Sequence, residues 1–215
     1  MKQRNASRLL LGFVKLTGIL PALMFFKPKV IYKDKQRQSK KLPAPCILMS
    51  NHTSLLDFVL YICLFFGRTI RFLMAEVLFN KGKLFARFLF ALGGIYVNRN
   101  QLNMGFMAEC IRILDQGGTV GIFPQGRLPV NGKPFPFKSG VTYMALHTDA
   151  PIVPIYTDGN YGLFKRATVV IGTPIHLKDL CKEESPSIEE IERLTRFLEE
   201  ETYRLKEYLS QNEKQ

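Results

Sequence analysis

The chain has 215 residues and a formal net charge of +12, with 47% hydrophobic residues, 17 Phe and 8 Tyr. This length suits one domain, or one domain with a short appendage, and so much apolar surface offsets the entropy cost of ordering the chain, which excludes intrinsic disorder. Glycine shows no regular period and there are only four cysteines, which excludes collagen-like and disulfide-scaffold proteins.

The positive charge is concentrated at the N-terminus. Residues 1–41 hold eleven Lys or Arg and one acid, a net charge of +10. Such a segment binds nucleic acid or anionic lipid, because both present dense negative charge. The apolar run LLLGFVKLTGILPALMFF at 9–26 favours lipid, since nucleic-acid-binding arms are not so apolar. We therefore predict a basic, apolar membrane-anchoring segment at 1–41, followed by the main folded domain at 42–215.

The apolar run is short for a membrane span. A span needs about 20 apolar residues, and Pro21 is expected to kink or divide a helix. The sequence predicts a membrane-inserted or interfacial helical hairpin with Lys and Arg at the headgroups. A cleaved signal peptide is an alternative, although Lys27 and Pro28 stand where a small-residue cleavage site is required. A buried core helix is the other alternative.

Short β-rich runs alternate with longer amphipathic runs after residue 41. Strands are predicted at 46–50, 69–74, 94–98, 119–124, 151–156 and 167–172, and helices at 55–66, 82–91, 103–116 and 139–147. This alternation indicates an α/β fold with a mixed, mostly parallel central sheet covered by helices. A C-terminal amphipathic helix is predicted from the Ser187 and Glu190 capping box and the apolar residues that follow at spacings of three and four.

The four cysteines, Cys46, Cys63, Cys110 and Cys181, are widely spaced and form no CxxC motif. Cysteines in this pattern are typical of small buried side chains in a reducing compartment, which favours a catalytic domain in the cytosol.

A histidine and an aspartate flank the end of the first predicted strand of the domain. His52 follows that strand directly and Asp57 is in the first turn of the next helix, so their side chains can meet. A carboxylate on one imidazole nitrogen leaves the other nitrogen as a general base. No GxSxG motif or Cys-His pair supplies a nucleophile, so this base would activate an external hydroxyl for direct acyl transfer. The alternative is a capping loop, in which Asn51, Thr53 or Ser54 caps the helix and His52 has no chemical role.

Basic residues follow two further strands at the same edge of the predicted sheet. Arg99 follows one strand, Gly126 and Arg127 follow another, and Lys138 stands at a predicted helix start. Guanidinium groups bind phosphate and glycine allows close backbone approach, so these residues predict a phosphate-bearing substrate. P-loop and dinucleotide-binding motifs are absent from the sequence, and neither a metal nor a bound cofactor is predicted.

Four motifs together resemble the signature blocks of the glycerolipid acyltransferases. They are NHTSLLD at 51–57, GGIYVNR at 93–99, FPQGR at 123–127 and PIVPI at 151–155, in this order. Within that family the chain is similar to the 1-acylglycerol-3-phosphate acyltransferase group. The resemblance implies an α/β acyltransferase domain with a membrane-associated N-terminus, a catalytic domain at the cytoplasmic face, and acyl-CoA or acyl carrier protein as acyl donor.

The resemblance also implies a role for each matching residue. His52 is the general base and Asp57 its orienting partner, while Arg99, with Gly126 and Arg127, holds the phosphate of the acceptor. The predicted substrate-binding residues are Asn51, Ser54, Arg99, Gly126, Arg127 and Lys138. The family usually has an acid in its FPEG block, where this chain has Gln125.

The implied reaction moves a fatty acyl group to the free hydroxyl of lysophosphatidate and gives phosphatidate for phospholipid synthesis. It proceeds without a covalent acyl-enzyme. The alternatives are an acyltransferase for another lysophospholipid or hydroxyl lipid, and a catalytically silent lipid-binding module. Binding of nucleic acid is excluded, because the basic excess brackets an apolar segment.

Overall fold

A seven-stranded sheet lies between two layers of helices in the computed structural model, which describes residues 8–34, 41–98 and 105–212. The strands are β1 Lys29–Tyr32, β2 Cys46–Ser50, β3 Ile70–Ala75, β4 Ile95–Val97, β5 Thr119–Ile122, β6 Ile152–Thr157 and β7 Thr168–Ile171. The helices are α1 Arg8–Phe26, α2 Asp57–Leu64, α3 Glu76–Phe79, α4 Lys83–Ala91, α5 Gly105–Asp115, α6 Gly140–Leu146 and α7 Ile188–Asn212, with a 3-10 turn at Leu177–Leu180.

The sheet order is β1-β7-β6-β2-β5-β3-β4, and all neighbouring strands are parallel except β6 and β7. Every residue of β2, β5 and β7 is buried, as expected for parallel strands with both faces covered. One core cluster joins the sheet to α1, α2 and α4, and a second joins its other face to α5, α6 and α7. The predicted mixed, mostly parallel α/β fold is confirmed.

Two short elements were not predicted from the sequence. Strand β1 pairs in parallel with β7 at the edge of the sheet, within the segment assigned to membrane anchoring. It begins with Lys29 and is followed by Lys33, and its side chains are exposed or only partly buried, so no alternating pattern distinguishes it. The four-residue helix α3 follows β3 directly and is too short to show a helical period.

Helix α1 is one continuous helix that contains Pro21, so the predicted hairpin is wrong. A proline removes one backbone hydrogen bond and can bend a helix without ending it. In the described part of the chain, no helix is both long and apolar enough to span a membrane. The helix presents exposed apolar side chains to solvent, including Leu16, Leu20 and Met24, whereas its last residue, Phe26, is buried in the core. Membrane anchoring by 1–41 stays a prediction, and residues 1–7 and 35–40 lie outside the described residues.

Helix α7 begins after a partly formed capping box. The Ser187 hydroxyl accepts the backbone N–H of Glu190 at 3.2 Å, but the Glu190 carboxylate binds Arg193 and the backbone N–H of Lys182. The buried leucines of α7 cover the second face of the sheet.

All four cysteines lie in the described part of the chain and none of them forms a disulfide. Cys46 and Cys110 are buried, whereas Cys63 and Cys181 are partly exposed. The predicted burial is therefore found for two of the four cysteines.

Candidate active site

His52 and Asp57 meet at the carboxyl end of the central strand β2. His52 lies two residues beyond β2 and Asp57 is the first residue of α2, and the His52 Nδ1 atom is 2.8 Å from Asp57 Oδ2. The His52 side chain is 15% exposed and the Asp57 side chain is completely buried. The predicted contact between these side chains is confirmed, and it lies where open α/β sheets place their ligand sites.

Five hydrogen bonds surround the Asp57 carboxylate. Oδ2 accepts from His52 Nδ1 and from the backbone N–H groups of Thr53 and Ser54, at 2.7–2.9 Å. Oδ1 accepts from the Thr53 hydroxyl at 2.8 Å and from the Tyr161 hydroxyl at 2.6 Å. Because a carboxylate only accepts, His52 carries its proton on Nδ1 and keeps the lone pair on Nε2. This tautomer is the one that a general base requires.

Tyr161 is a contact that the sequence did not indicate. It lies 104 residues from Asp57, in the connection between β6 and β7. Burial and the negative charge of Asp57 raise the pKa of the Tyr161 hydroxyl, so it stays protonated and donates. Its ring meets Phe26, the last residue of α1, edge-on at 5.0 Å. Gly159 brings this connection close to the His52–Asp57 pair, called the dyad below. A Cβ at Gly159 would lie only 2.7 Å from the Thr53 hydroxyl.

Tyr161→Phe is expected to lower kcat by about threefold to tenfold, because one of the five bonds that fix Asp57 is lost. The phenyl ring keeps the contact with Phe26, so the thermal midpoint should change little. The measurement is kcat across pH, compared with Tyr156→Phe as a control tyrosine outside the dyad. An unchanged kcat at every pH would remove Tyr161 from the positioning of Asp57.

The FPQGR motif supports His52 from the neighbouring strand. The imidazole stacks on the Phe123 ring, with centroids 4.3 Å apart and planes 13° from parallel. The His52 backbone N–H donates to Gln125 Oε1 at 3.0 Å, and Gln125 Nε2 donates to the Tyr203 hydroxyl at 3.4 Å. The bond to His52 requires only an oxygen acceptor, which an amide supplies as well as a carboxylate. Gln125 can therefore make the hydrogen bond to the His52 backbone that a glutamate at this position would make.

Asn51 and Ser54 make internal contacts. The Asn51 amide exchanges two hydrogen bonds with the Thr157 backbone, each 2.8 Å, and so ties the end of β2 to the end of β6. The Ser54 hydroxyl accepts the Leu56 N–H at 3.2 Å. These contacts hold the His52 loop in place, and substrate binding by either residue stays a prediction.

Two adjoining cavities open beside His52 at the ends of β3 and β5. The first, of about 260 Å³, is lined by His52 and Arg127, and the second, of about 250 Å³, by Lys138. Gly126 lines both, at a φ of +68° that favours glycine. The walls of the first cavity are mostly apolar: Leu55, Phe58, Phe72, Leu73, Met74, Ala75, Val77, Leu78, Phe123 and Leu128. A larger open groove of about 630 Å³ lies beside α6 and the start of α7 and contains no predicted site residue.

Two of the predicted cations lie at these cavities. The Arg127 guanidinium lies 4.9 Å from the centre of the Phe135 ring, and the Lys138 Nζ atom approaches to 3.6 Å of the position of a Cβ on Gly126. Both side chains are exposed. Arg99 lies outside the described residues. In the described part of the chain, no cluster of three or more His, Cys, Asp or Glu could hold a metal ion.

Comparison with known proteins identifies the family. A family model described as Acyltransferase matches residues 30–158. The chain belongs to this acyltransferase family. The matched region of the acyltransferase includes the dyad, Gly126 and Arg127, and it ends before Tyr161.

Curated relatives of this acyltransferase include the human 1-acyl-sn-glycerol-3-phosphate acyltransferase beta, 33% identical over 115 residues, which are 52% of this chain and 40% of the relative. The 1-acyl-sn-glycerol-3-phosphate acyltransferase of Borreliella burgdorferi is 28% identical over 137 residues, 62% of this chain and 53% of the relative. The matches thus span about half or less of the length of these relatives.

A solved structure shows the same fold. The 1-acyl-sn-glycerophosphate acyltransferase of Thermotoga maritima superposes with a TM-score of 0.60 at 23% identity, and the match covers 92% of this chain and 78% of that one. The mostly parallel sheet with helices on both faces is therefore an acyltransferase fold.

Proposed function

We propose that this acyltransferase moves a fatty acyl group from acyl-CoA or acyl carrier protein to the free hydroxyl of lysophosphatidate, giving phosphatidate. The observation that carries the proposal is the His52–Asp57 pair, in which Nδ1 is bonded to Asp57 and the imidazole lines a mostly apolar cavity that also contains Arg127. Further support comes from relatives named 1-acyl-sn-glycerol-3-phosphate acyltransferases.

The proposed reaction is a direct transfer. His52 Nε2 takes the proton of the acceptor hydroxyl while the oxygen of that hydroxyl attacks the carbonyl carbon of the thioester. The new ester C–O bond forms, the C–S bond breaks, and the departing thiolate takes the proton back from the imidazolium. Asp57 stabilises the imidazolium and holds the ring in the productive orientation. No protein side chain is acylated.

Substrate binding in this proposal follows the two cavities. Arg127 and Lys138 face the acceptor phosphate, joined by Arg99, because charge-assisted hydrogen bonds to phosphate are the strong ones. The apolar walls around His52 hold the first carbons of an acyl chain. Lysophosphatidate and phosphatidate both reside in bilayers, so the N-terminal basic segment would hold the enzyme against an anionic membrane.

The test is a screen of the purified full chain with labelled acyl-CoA and acyl carrier protein against lysophosphatidate, other lysophospholipids and monoacylglycerol. Phosphatidate should be the main product with at least one donor. Preferred acylation of another lysophospholipid would support the alternative acceptor, and absence of transfer to every acceptor would overturn the proposal in favour of a lipid-binding module.

Lys138→Ala is expected to raise KM for lysophosphatidate about fivefold, the effect of losing one exposed charge-assisted contact, with a smaller change in kcat. The matched control is Lys133→Ala, an exposed lysine of the same connection that lines neither cavity. Equal KM values for the two variants would remove Lys138 from the phosphate site.

A further inference from the structure

The connection between β6 and β7 projects two large apolar side chains into solvent. Phe164 is 100% exposed and Leu163 is 59% exposed, at the tip of a turn closed by the Lys165 N–H on the Gly162 carbonyl at 3.0 Å. Single exposed apolar residues are common on protein surfaces. This pair is informative because lysine and arginine side chains lie close to it and because its connection is joined to α1.

Cations surround the tip and acids are absent from it. Residues 159–167 contain Lys165 and Arg166 but neither Asp nor Glu, and the preceding acid, Asp158, lies at the base of the connection, where its carboxylate accepts the backbone N–H groups of Asn160 and Thr168. Lys27 adds a third cation, since its Nζ donates to the Leu163 carbonyl at 2.6 Å. An apolar tip ringed by lysine and arginine matches the boundary between acyl chains and anionic headgroups, where long basic side chains reach the phosphates.

The connection that carries the tip is also joined to α1. The Ala167 N–H donates to the Phe26 carbonyl at 2.8 Å, so the base of the turn is bonded directly to the end of α1. Leu20 and Met24, in the last two turns of that helix, are 69% and 67% exposed. Phe26 and Tyr161 both pack in the core cluster on the α1 side of the sheet.

We propose that Leu163 and Phe164 insert into the surface of an anionic bilayer, as a membrane contact in addition to the predicted anchoring by residues 1–41. The partner is lipid because two apolar side chains with Lys165, Arg166 and Lys27 close by match the boundary between acyl chains and anionic headgroups. The same connection carries Tyr161, which holds Asp57, so the inserted tip places the dyad at the surface of the lipid. Insertion of the tip does not depend on the acyltransferase reaction, so it can be tested without turnover.

The chain contains no tryptophan, so Phe164→Trp introduces a single fluorescent reporter at the tip. The probe is vesicles of phosphatidylcholine and phosphatidylglycerol in equal amounts. The emission of the Phe164→Trp variant should move to shorter wavelength on vesicle binding and be quenched by brominated lipid. The matched control is Ile188→Trp, because Ile188 is 73% exposed at the start of α7, in the helix layer of the opposite face. The emission of this control variant should not change.

A second pair of variants measures the contribution to binding. Leu163→Ser with Phe164→Ser should lower vesicle partitioning about tenfold or more, whereas Ile188→Ser should bind like the parent chain. The proposal is overturned if the Phe164→Trp emission stays unchanged on vesicle-bound protein, if the double variant partitions like the parent, or if the parent binds no vesicles. The proposal is also overturned if the Phe164→Trp emission is already at short wavelength before lipid is added, because the chains then associate with one another through the tip.

Discussion

Replacing His52 with alanine is expected to lower kcat for acyl transfer by about 10²–10⁴-fold, the range for loss of a general base. Nε2 is the ring nitrogen that remains for a substrate, since Nδ1 is committed to Asp57 at 2.8 Å and His52 lines the first cavity. Alanine removes this base and the stacking contact with Phe123 but leaves Asp57 with four other donors. The fold should therefore survive.

The other two histidines provide matched controls. The His147 imidazole stacks on Tyr143 beside the remote groove, and His176 precedes the 3-10 turn at Leu177–Leu180. Neither lines the cavities next to the dyad, so His147→Ala and His176→Ala should keep the parent kcat. The measurements are initial rates with lysophosphatidate and a labelled donor, together with thermal unfolding. Parent-like turnover by a folded His52→Ala variant would contradict the dyad mechanism.

The parts of the site that could be predicted from the sequence are those formed by residues close to one another along the chain. The buried run at 46–50 identifies a central strand, and the five-residue spacing places His52 and Asp57 where a strand meets a helix. Gln125 is recognisable from the sequence only as a departure from the usual acid. Its bond to the His52 backbone follows from strand order, because β5 and β2 are neighbours in the sheet and 73 residues separate these groups.

Tyr161 and β1 lay beyond sequence reasoning for the same physical reason. A lone tyrosine after a strand has no periodicity that marks its partner, and its bond to Asp57 exists only once β6 lies beside β2. Strand β1 precedes all the other strands in the chain and pairs with β7, the last of them, and its few residues are obscured by the surrounding basic segment. Long-range pairing is fixed by tertiary packing, which local propensity does not encode.

The placement of Phe26 changes how the N-terminal segment can be studied. Phe26 is 3% exposed and packs against Tyr161, and its carbonyl accepts the Ala167 N–H. Deleting residues 1–28 would therefore open the core next to the dyad as well as remove α1. A loss of activity or of membrane binding in such a truncation would not separate anchoring from folding, so point variants on exposed positions are the sharper tools.

Asp57→Asn and Asp57→Ala are both expected to lose activity, but they should differ in stability. Asparagine can keep its oxygen toward His52 Nδ1 and the backbone N–H groups of Thr53 and Ser54, which cannot change their roles as donors. Its NH₂ group then faces the hydroxyls of Thr53 and Tyr161, which can rotate and accept. Asp57→Asn should therefore fold, with a loss of about 1–2 kcal/mol of folding free energy.

Activity should fall in Asp57→Asn because, in the proposed reaction, the amide has no charge to stabilise the imidazolium that would form when His52 takes the proton. We expect kcat to fall by about 10²–10⁴-fold with little change in acceptor KM. Asp57→Ala leaves all five donors without their acceptor in a fully buried position, so it should cost about 3 kcal/mol or more of folding free energy. Thermal unfolding and kcat, measured on the same preparations, separate the two effects. A stable Asp57→Asn enzyme with parent kcat would show that the carboxylate serves only the fold, and His52 would then act without a charged partner.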